Sequence, residues 1–524
     1  MRTLLSLVVL STLPAIAAEI PHLQKNGAAT ELIVDGKPLV LLSGELHNSS
    51  ASSLDYMRPI WPKLRKLNLN SAIATVTWEL LEPEEGHFDF RLVDGLLQQA
   101  RDYRMKLVLI WFGTWKNGVS SYAPLWVKRD LTRFPRAQNR PGRNTEVISV
   151  FSQAARDADA RAFRALMKHL KEVDGADHTV VMMQVENEVG LKNTPRDMSA
   201  TGERGWAEKV PSALIERLSA RKDKLLSETK ELWSSTNYRS SGTWAEVFGD
   251  SEWAQEAFMA WHYASYLNYV AAQGKAEYPI PMYVNAWLQG ENQKPGTYPS
   301  GGPVARVMEI WKAGAQDIDL IAPDIYLPDF ATITGQFTRM DNPLFIPEVG
   351  RGPDAAAKVF YAIGQHNAIG FAPFGIDSVE DNHPIAKSYS ILAGLMPEIL
   401  RAHGKSSTAG ILEYKEDSKS IDLGGYRLNI SFKVRDKKGL GYGLVITTGA
   451  DEFLFAGSNY SVTFGSNSTE KPTASIGAVD ELVLRDGQWI AIRRLNGDET
   501  AGGSQVKMPV DAAGVQRVRL YRHE

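Results

Sequence analysis

An apolar run that ends in acids is the first feature of this sequence able to do chemistry. Residues 181–190 read VMMQVENEVG, so Glu186 and Glu188 flank Asn187 at the end of a stretch that would otherwise bury completely. A carboxylate taken out of water without a partner is costly. A second acid, Glu348, closes a similar run, PLFIPEVG at 343–350. Proline donates no ladder hydrogen bond, so Pro347 belongs at a strand end or bulge, which pushes Glu348 to the rim. Two carboxyl groups facing each other across a cleft suit glycoside hydrolysis. One gives a proton to the leaving oxygen, and the other attacks the anomeric carbon or activates water. Residues two apart in a strand share a face, so alternation does not choose between Glu186 and Glu188.

These acids need strands to hold them, and both runs belong to a series. Short apolar runs with polar tips occur at 39–48, 69–83, 105–117, 178–190, 281–290, 319–330, 343–352 and 368–378, with helical stretches between most of them and a final helix at 386–404. Eight such units over about 360 residues predict an α/β fold, a (β/α)8 TIM barrel whose strands are buried on both faces. A doubly wound open sheet is the alternative; eight repeats and the lack of a glycine-rich dinucleotide turn favour closure. Asp35-Gly36 between apolar runs predicts a hairpin before the first strand. Residues 191–280 form the longest interruption, with a polar loop and at least two helices; long loops at strand ends usually shape a site. At HGKSSTAG, 403–410, the composition shifts, and short alternating runs between Gly and Asp-Gly turns follow. The expected organisation is a leader at 1–18, a barrel at 19–404 and a smaller all-β, sandwich-like domain at 405–524.

Bulk properties narrow the class. The net charge is −3, with a pI near 6.4, so nothing favours nucleic acid or an anionic membrane. Cysteine is absent, which excludes cysteine nucleophiles and cysteine-ligated metals. No HxH or HExxH spacing, GxSxG elbow or P-loop occurs. No cofactor and no metal are therefore expected. The first residues, MRTLLSLVVLSTLPAIAA, combine a basic start, a short apolar run and an A-x-A site. They predict export, to the periplasm or outside, with no membrane anchor. Nothing in the sequence specifies an oligomeric state.

Barrel active sites lie at the C-terminal ends of the strands. The tips offer, in chain order, Glu45 and His47; Trp78, Glu79 and Glu82; Trp115, Lys116 and Asn117; Glu186, Asn187 and Glu188; Asn285 and Trp287; Asp324 and Tyr326; Glu348 and Arg351; Phe374 and Asp377. Carboxylates, amides and aromatics dominate, which suits a carbohydrate. Trp78, Trp115 and Trp287 are candidates for stacking on a sugar ring. Glu45, His47 and Asn285 are candidate hydroxyl ligands. Glu79 and Asp324 read as structural, and Arg351 as a group that orients a carboxylate.

QVENEVG resembles the acid/base motif of family 35 glycoside hydrolases, retaining β-galactosidases of a barrel clan that also holds family 42. Similar blocks occur at SGELH (43–47), LNLNSAIATVTWELLEPEEGHFDF (67–90) and APLWV (123–127). The resemblance implies that Glu188 is the proton donor, that Asn187 bonds the sugar 2-hydroxyl and that Glu348 is the nucleophile, with Tyr326 bonding it. Glu186 then becomes a positioning group for an arginine or for backbone amides. Two departures stand out: Val189 replaces a usual tyrosine, and WFGTWKNG (111–118) puts Thr114 near the position of a galactose-binding glutamate. Lys116 and Asn117 are the expected substitutes. The implied activity is an exo-β-galactosidase on oligo- or polysaccharides, such as those of plant cell walls. A retaining β-glycosidase for another sugar and a barrel that binds glycans without cleaving them are the alternatives.

Overall fold

A computed structural model describes residues 19–524; the leader expected at 1–18 lies outside them. Eight parallel strands form the centre: β1 (Leu41–Leu42), β2 (Ser71–Thr77), β3 (Lys106–Lys116), β4 (Val180–Asn187), β5 (Met282–Trp287), β6 (Leu320–Ile325), β7 (Phe345–Val349) and β8 (Gly370–Pro373). Each lies within one of the eight runs read from the sequence. Glu45 closes the ring, bridging Phe374 on one side and Ile73 on the other. Glu45 N donates to Pro373 O at 3.0 Å, and Leu46 N to Ile73 O at 3.0 Å. The result is a closed (β/α)8 barrel and not an open sheet.

The outer helices are α1 (Ile60–Lys66), α2 (Arg91–Asp102), α3 (Gln153–Asp174), α4 (Glu252–Lys275), α5 (Met308–Gly314), α6 (Phe330–Phe337), α7 (Ala355–His366) and α8 (Pro384–Ala402). Their apolar sides pack on the strands, with Leu96, Leu97, Phe163, Leu166 and Leu395 all buried. The barrel interior is filled by Leu41, Ile73, Val108, Val181, Tyr283 and Phe345. Leu32 and Val34 join that cluster from a hairpin under the strand starts. Its turn is the expected Asp35-Gly36, with φ values of +52° and +69°, as a tight hairpin turn requires. One element had no counterpart in the sequence reading: a hairpin of Arg136–Arg140 and Arg143–Ile148 after β3.

Past α8 the chain is all β. Six strands form one sheet, in the order Thr408–Leu412, Tyr442–Gly449, Glu452–Ser458, Gly514–His523, Thr473–Arg485, Gln488–Leu495, and four short strands form a second. Val445, Phe453, Phe455 and Val518 face the second sheet, in a core of their own. Leu444, Ile446, Leu454 and Ala456, from the opposite face, belong to the barrel's core. Tyr442–Gly449 and Glu452–Ser458 are thus buried on both sides, and this explains the near-continuous apolar runs GLVITTG and EFLFAG.

Close approach between α7 and this sheet is set by glycine. A methyl added at Gly364 would lie 2.7 Å from Leu444 Cβ and 3.1 Å from Ala409 O. Alanine gains about 1 kcal/mol of helix propensity over glycine, but overpacking costs about 1–3 kcal/mol, and here the neighbour is held in a sheet. Gly364→Ala should therefore lower the urea midpoint. Gly335→Ala in α6, where the added methyl meets nothing within 4 Å, should raise it. Equal shifts would mean that α7 and the sheet do not pack as described.

Candidate active site

At the end of β4 the backbone bends twice. Glu186 has φ +63° and Glu188 φ +42°, on either side of Asn187. Both lie in the left-handed region, which residues with a Cβ adopt at a cost. The bends break strand alternation, so two acids of the same parity point to different places. Every turn of the kink is tied down. Gln184 Nε2 donates to Glu186 O at 2.9 Å, and Glu188 N to Asn285 Oδ1 at 2.9 Å. Asn117 N donates to Asn187 O at 3.2 Å.

Glu186 goes behind the tip of β3. Its carboxyl accepts from Thr114 N at 2.8 Å and Trp115 N at 2.6 Å, so its partners are the backbone amides and not an arginine. It also hydrogen-bonds the buried Asp159 of α3. Burial, then the charge of Asp159, pushes Glu186 well above the usual carboxylate range. Burial raises Asp159 as well. Asp159 also accepts from Trp111 Nε1 at 2.8 Å and Thr114 Oγ1 at 2.7 Å.

Glu188 enters the barrel mouth instead. There its carboxyl, that of Asp324 on β6 and that of Glu348 on β7 place oxygens within 4.8 Å of one another. Asp324 Oδ2 accepts from Asn285 Nδ2 at 2.6 Å, and Tyr326 OH donates to Glu348 Oε1. The cleft measures about 280 Å³ and is also lined by Asn117, Trp287, Leu288 and Leu327. Glu188 is raised to about 7, by burial first and the Glu348 charge second, while a hydrogen bond with Asp324 and the charge of Lys116 pull it down. Burial raises Glu348 as well, offset by Tyr326 and then Lys116. Asp324 and Glu45 are driven well above the normal range, by burial first and Glu348 second. Asp324 and Glu45 are thus pushed further from the ordinary range than Glu188 or Glu348. The trio Glu188, Asp324 and Glu348 has oxygens close enough for a cation. Asn285 donates to Asp324 and Tyr326 to Glu348, and Asp324 hydrogen-bonds Glu188.

Most of the expected site residues gather here. Asn187 is buried next to Glu188, and its Oδ1 lacks a partner. Lys116 Nζ donates to Asn117 Oδ1. Trp287 forms a wall, with Lys192 Nζ 4.7 Å from its ring centroid. Glu45 lies within electrostatic reach of both Glu188 and Glu348. His47 sits on the rim by β8, its Nδ1 2.9 Å from Asp377 Oδ1.

Trp115 does not belong to the cleft. It is 1 % exposed, packs on Tyr263 and Tyr266, and donates from Nε1 to Ile148 O. The kink's pull on the β3 backbone turns it into the core. Trp78 is likewise buried, bonded to Glu82. Thr114 is held by Glu186 and Asp159. Arg351 forms no ion pair among the described residues; its guanidinium lies against Gly375 beside His47. Asp324, expected to be structural, lines the cleft instead. Its signal was the D-x-Y spacing with Tyr326, which put both on one face of a strand tip.

Residues 56–274, less than half of the chain, match a glycoside hydrolase family 42 model described as β-galactosidase. The family indicated is 42, where the QVENEVG motif pointed to 35. The match includes Glu188 and ends before Asn285, Asp324 and Glu348. Residues 385–507 match a domain of unknown function, DUF5597. A β-galactosidase from Xanthomonas manihotis is 30% identical over 201 residues, 36% of this chain and 31% of that one. Among solved structures, a β-galactosidase from Bacillus circulans sp. alkalophilus is 15% identical, with 69% of this chain and 57% of that chain covered and a TM-score of 0.46. One from the haloarchaeon Halorubrum lacusprofundi is 16% identical, with 68% and 58% covered and a TM-score of 0.47. The chain thus spans about a third of the length of the curated relative and under two thirds of these structures.

The raised Glu188 carries a consequence for stability. Its folded value of about 7 exceeds the ordinary 4.5, so between these pH values the folded state binds more protons than the unfolded one. The residue's contribution to stability is then lost as pH rises. Glu188→Gln removes that loss. The variant should match the wild type near pH 4 and exceed it by on the order of 1–3 kcal/mol at pH 8, read from urea unfolding at each pH. A difference that does not grow with pH would mean that Glu188 is not raised.

Proposed function

We propose that the chain is a retaining exo-glycosidase acting on terminal β-galactosyl residues of oligo- or polysaccharides. One observation carries this reading: oxygens of Glu188 and Glu348 approach within 4.8 Å. Double displacement uses carboxyl groups about 5–5.5 Å apart, whereas inverting enzymes leave about 6.5–9.5 Å for a water. The family 42 match and the Xanthomonas relative support galactose as the sugar. The leader-like residues 1–18 support export.

Glu348, ionised, attacks the anomeric carbon as the bond to the leaving oxygen breaks, and Glu188 gives that oxygen its proton. Attachment of the sugar removes the charge of Glu348, one of the two causes that hold Glu188 high. Glu188 then becomes a base. It takes a proton from water while the hydroxyl displaces Glu348 from the anomeric carbon, which restores both groups. Tyr326 holds Glu348 by its hydroxyl, and Lys116 favours the ionised nucleophile. Asn187, with its unpaired Oδ1 beside Glu188, is suited to a sugar hydroxyl. The tip of β3 leaves room for a different sugar, because Thr114 faces Glu186 and Asp159 while Asn117 lines the cleft.

A panel of aryl β-glycosides tests the sugar. The β-galactoside should be turned over fastest, and Glu188→Gln and Glu348→Gln should each lose at least ~10³-fold in kcat. Its kcat/KM should fall as pH rises through about 7, where the donor loses its proton; Glu188→Gln should lack that limb. A 2-deoxy-2-fluoro-β-galactoside should label Glu348, seen by peptide mass. A label on another residue, or tight glycan binding with no turnover, would refute the mechanism.

A further inference from the structure

The acid cleft does not end at the trio. A second hollow of about 290 Å³ shares Leu288 and Leu327 with it. A third, of about 690 Å³, shares Gln289, Asn292 and Arg306 with the second. Together they make one groove, leading from β5 and β6 outward to Trp253 at the start of α4. Its floor is built and not loose. Gln289 Nε2 donates to Gln293 O at 2.8 Å, and Gly290 N to Gln293 Oε1 at 2.8 Å. Arg306 is pinned at the far end, its guanidinium 3.7 Å from the Trp253 ring centroid and its Nε 3.7 Å from Glu256.

The lining has the chemistry of a neutral, hydroxyl-rich ligand. Amides such as Gln289 and Asn292 both donate and accept, as each sugar hydroxyl does. Glu228 and Glu231 add acceptors, and Trp253 adds an aromatic surface. Charges of both signs are present, so the groove does not select an ionic chain. The acid cleft alone is at the lower end of the size of ligand pockets, about 300–1,000 Å³, which suits one sugar ring. In the proposed glycosidase reading, on which this inference rests, the proton donor touches the oxygen of the bond that breaks. The departing portion therefore starts at Glu188. From there Trp287 and Leu288 lead into the second hollow.

We propose that this groove binds the leaving portion of an oligosaccharide over several sugar units, so that the preferred substrate is a chain and not a disaccharide. The test compares an aryl β-galactoside with β-galactosyl-terminated di- and tetrasaccharides of several linkages. For the wild type, kcat/KM should rise at least ~10-fold from di- to tetrasaccharide in the preferred linkage, a factor worth about 1.4 kcal/mol. Trp253→Ala, and the loop variant Gln289→Ala/Asn292→Ala, should abolish that gain while aryl-galactoside turnover stays within about twofold. No preference for length in any linkage, or an equal loss on both substrate types, would overturn the groove and leave the catalytic reading standing. If the wild type cleaves none of these substrates, the catalytic reading fails. Calorimetric titration of the tetrasaccharides then decides the groove: no binding, or unchanged affinity in both variants, overturns it.

Discussion

The site depends on a contact between two buried acids that never meet the cleft. Glu186 and Asp159 sit behind β3, both buried, with Glu186 bound to the amides of Thr114 and Trp115. Burial and then the Asp159 charge raise Glu186, and the amides of Trp115 and Thr114 pull it back down. This arrangement pins Glu186 in a left-handed conformation, and with it the bend that turns Glu188 into the barrel mouth. Residues in such conformations persist only where their surroundings over-determine them. Here the surroundings are the ends of β3, β4 and β5, since Asn285 holds the amide of Glu188. Gly113 completes the fit: a methyl on it would lie 2.4 Å from both Glu186 Oε1 and Trp111 Nε1.

A second balance operates in the cleft itself. Glu45, Glu188, Asp324 and Glu348 are all buried, and Lys116 is the cation that acts on Glu45, Glu188 and Glu348. Four negative charges at this spacing would repel strongly, and the two most deeply enclosed acids, Asp324 and Glu45, are the ones driven well above the usual range. Asp324 accepts from Asn285, and in the proposed mechanism Glu188 and Glu348 exchange roles. The division of labour follows from environment, because all four are chemically the same kind of group. Tyr326, on the rim and 55 % exposed, lets Glu348 stay partnered without sealing the cleft.

The fold was legible because buried parallel strands write themselves as apolar runs with polar tips, and all eight did so. The site was legible only in part. Alternation could not separate Glu186 from Glu188, since the answer lies in two backbone torsions that no periodicity records. Trp115 was misread for the same reason: the tip of β3 is bent by its bonds to Glu186, which sends the indole inward. Asp324 looked like a strand-end structural acid because its role depends on neighbours in β4, β5 and β7, distant in the chain. The hairpin at 136–148 escaped notice because its strands are mostly polar and exposed, with no apolar alternation to reveal them.

Strand seven, which carries Glu348, is followed directly by α7, and α7 is held between the barrel and the six-stranded sheet. Gly364 and Gly410 mark how close that contact is; a methyl on Gly410 would lie 2.8 Å from Tyr361 O. The all-β part is therefore more than an appendage, because its inner face completes the burial of a barrel helix. The limits of the DUF5597 match agree with this dependence. That match begins at 385, inside α8, and ends at 507, before Gly514–His523. Yet Gly514–His523 lies within the larger sheet, paired on both sides with Glu452–Ser458 and Thr473–Arg485. A segment cut at those limits would lose an interior strand and take a helix from the barrel. Neither the matched segment nor the barrel would then keep its apolar faces covered, and so the two are best understood as one cooperative structure.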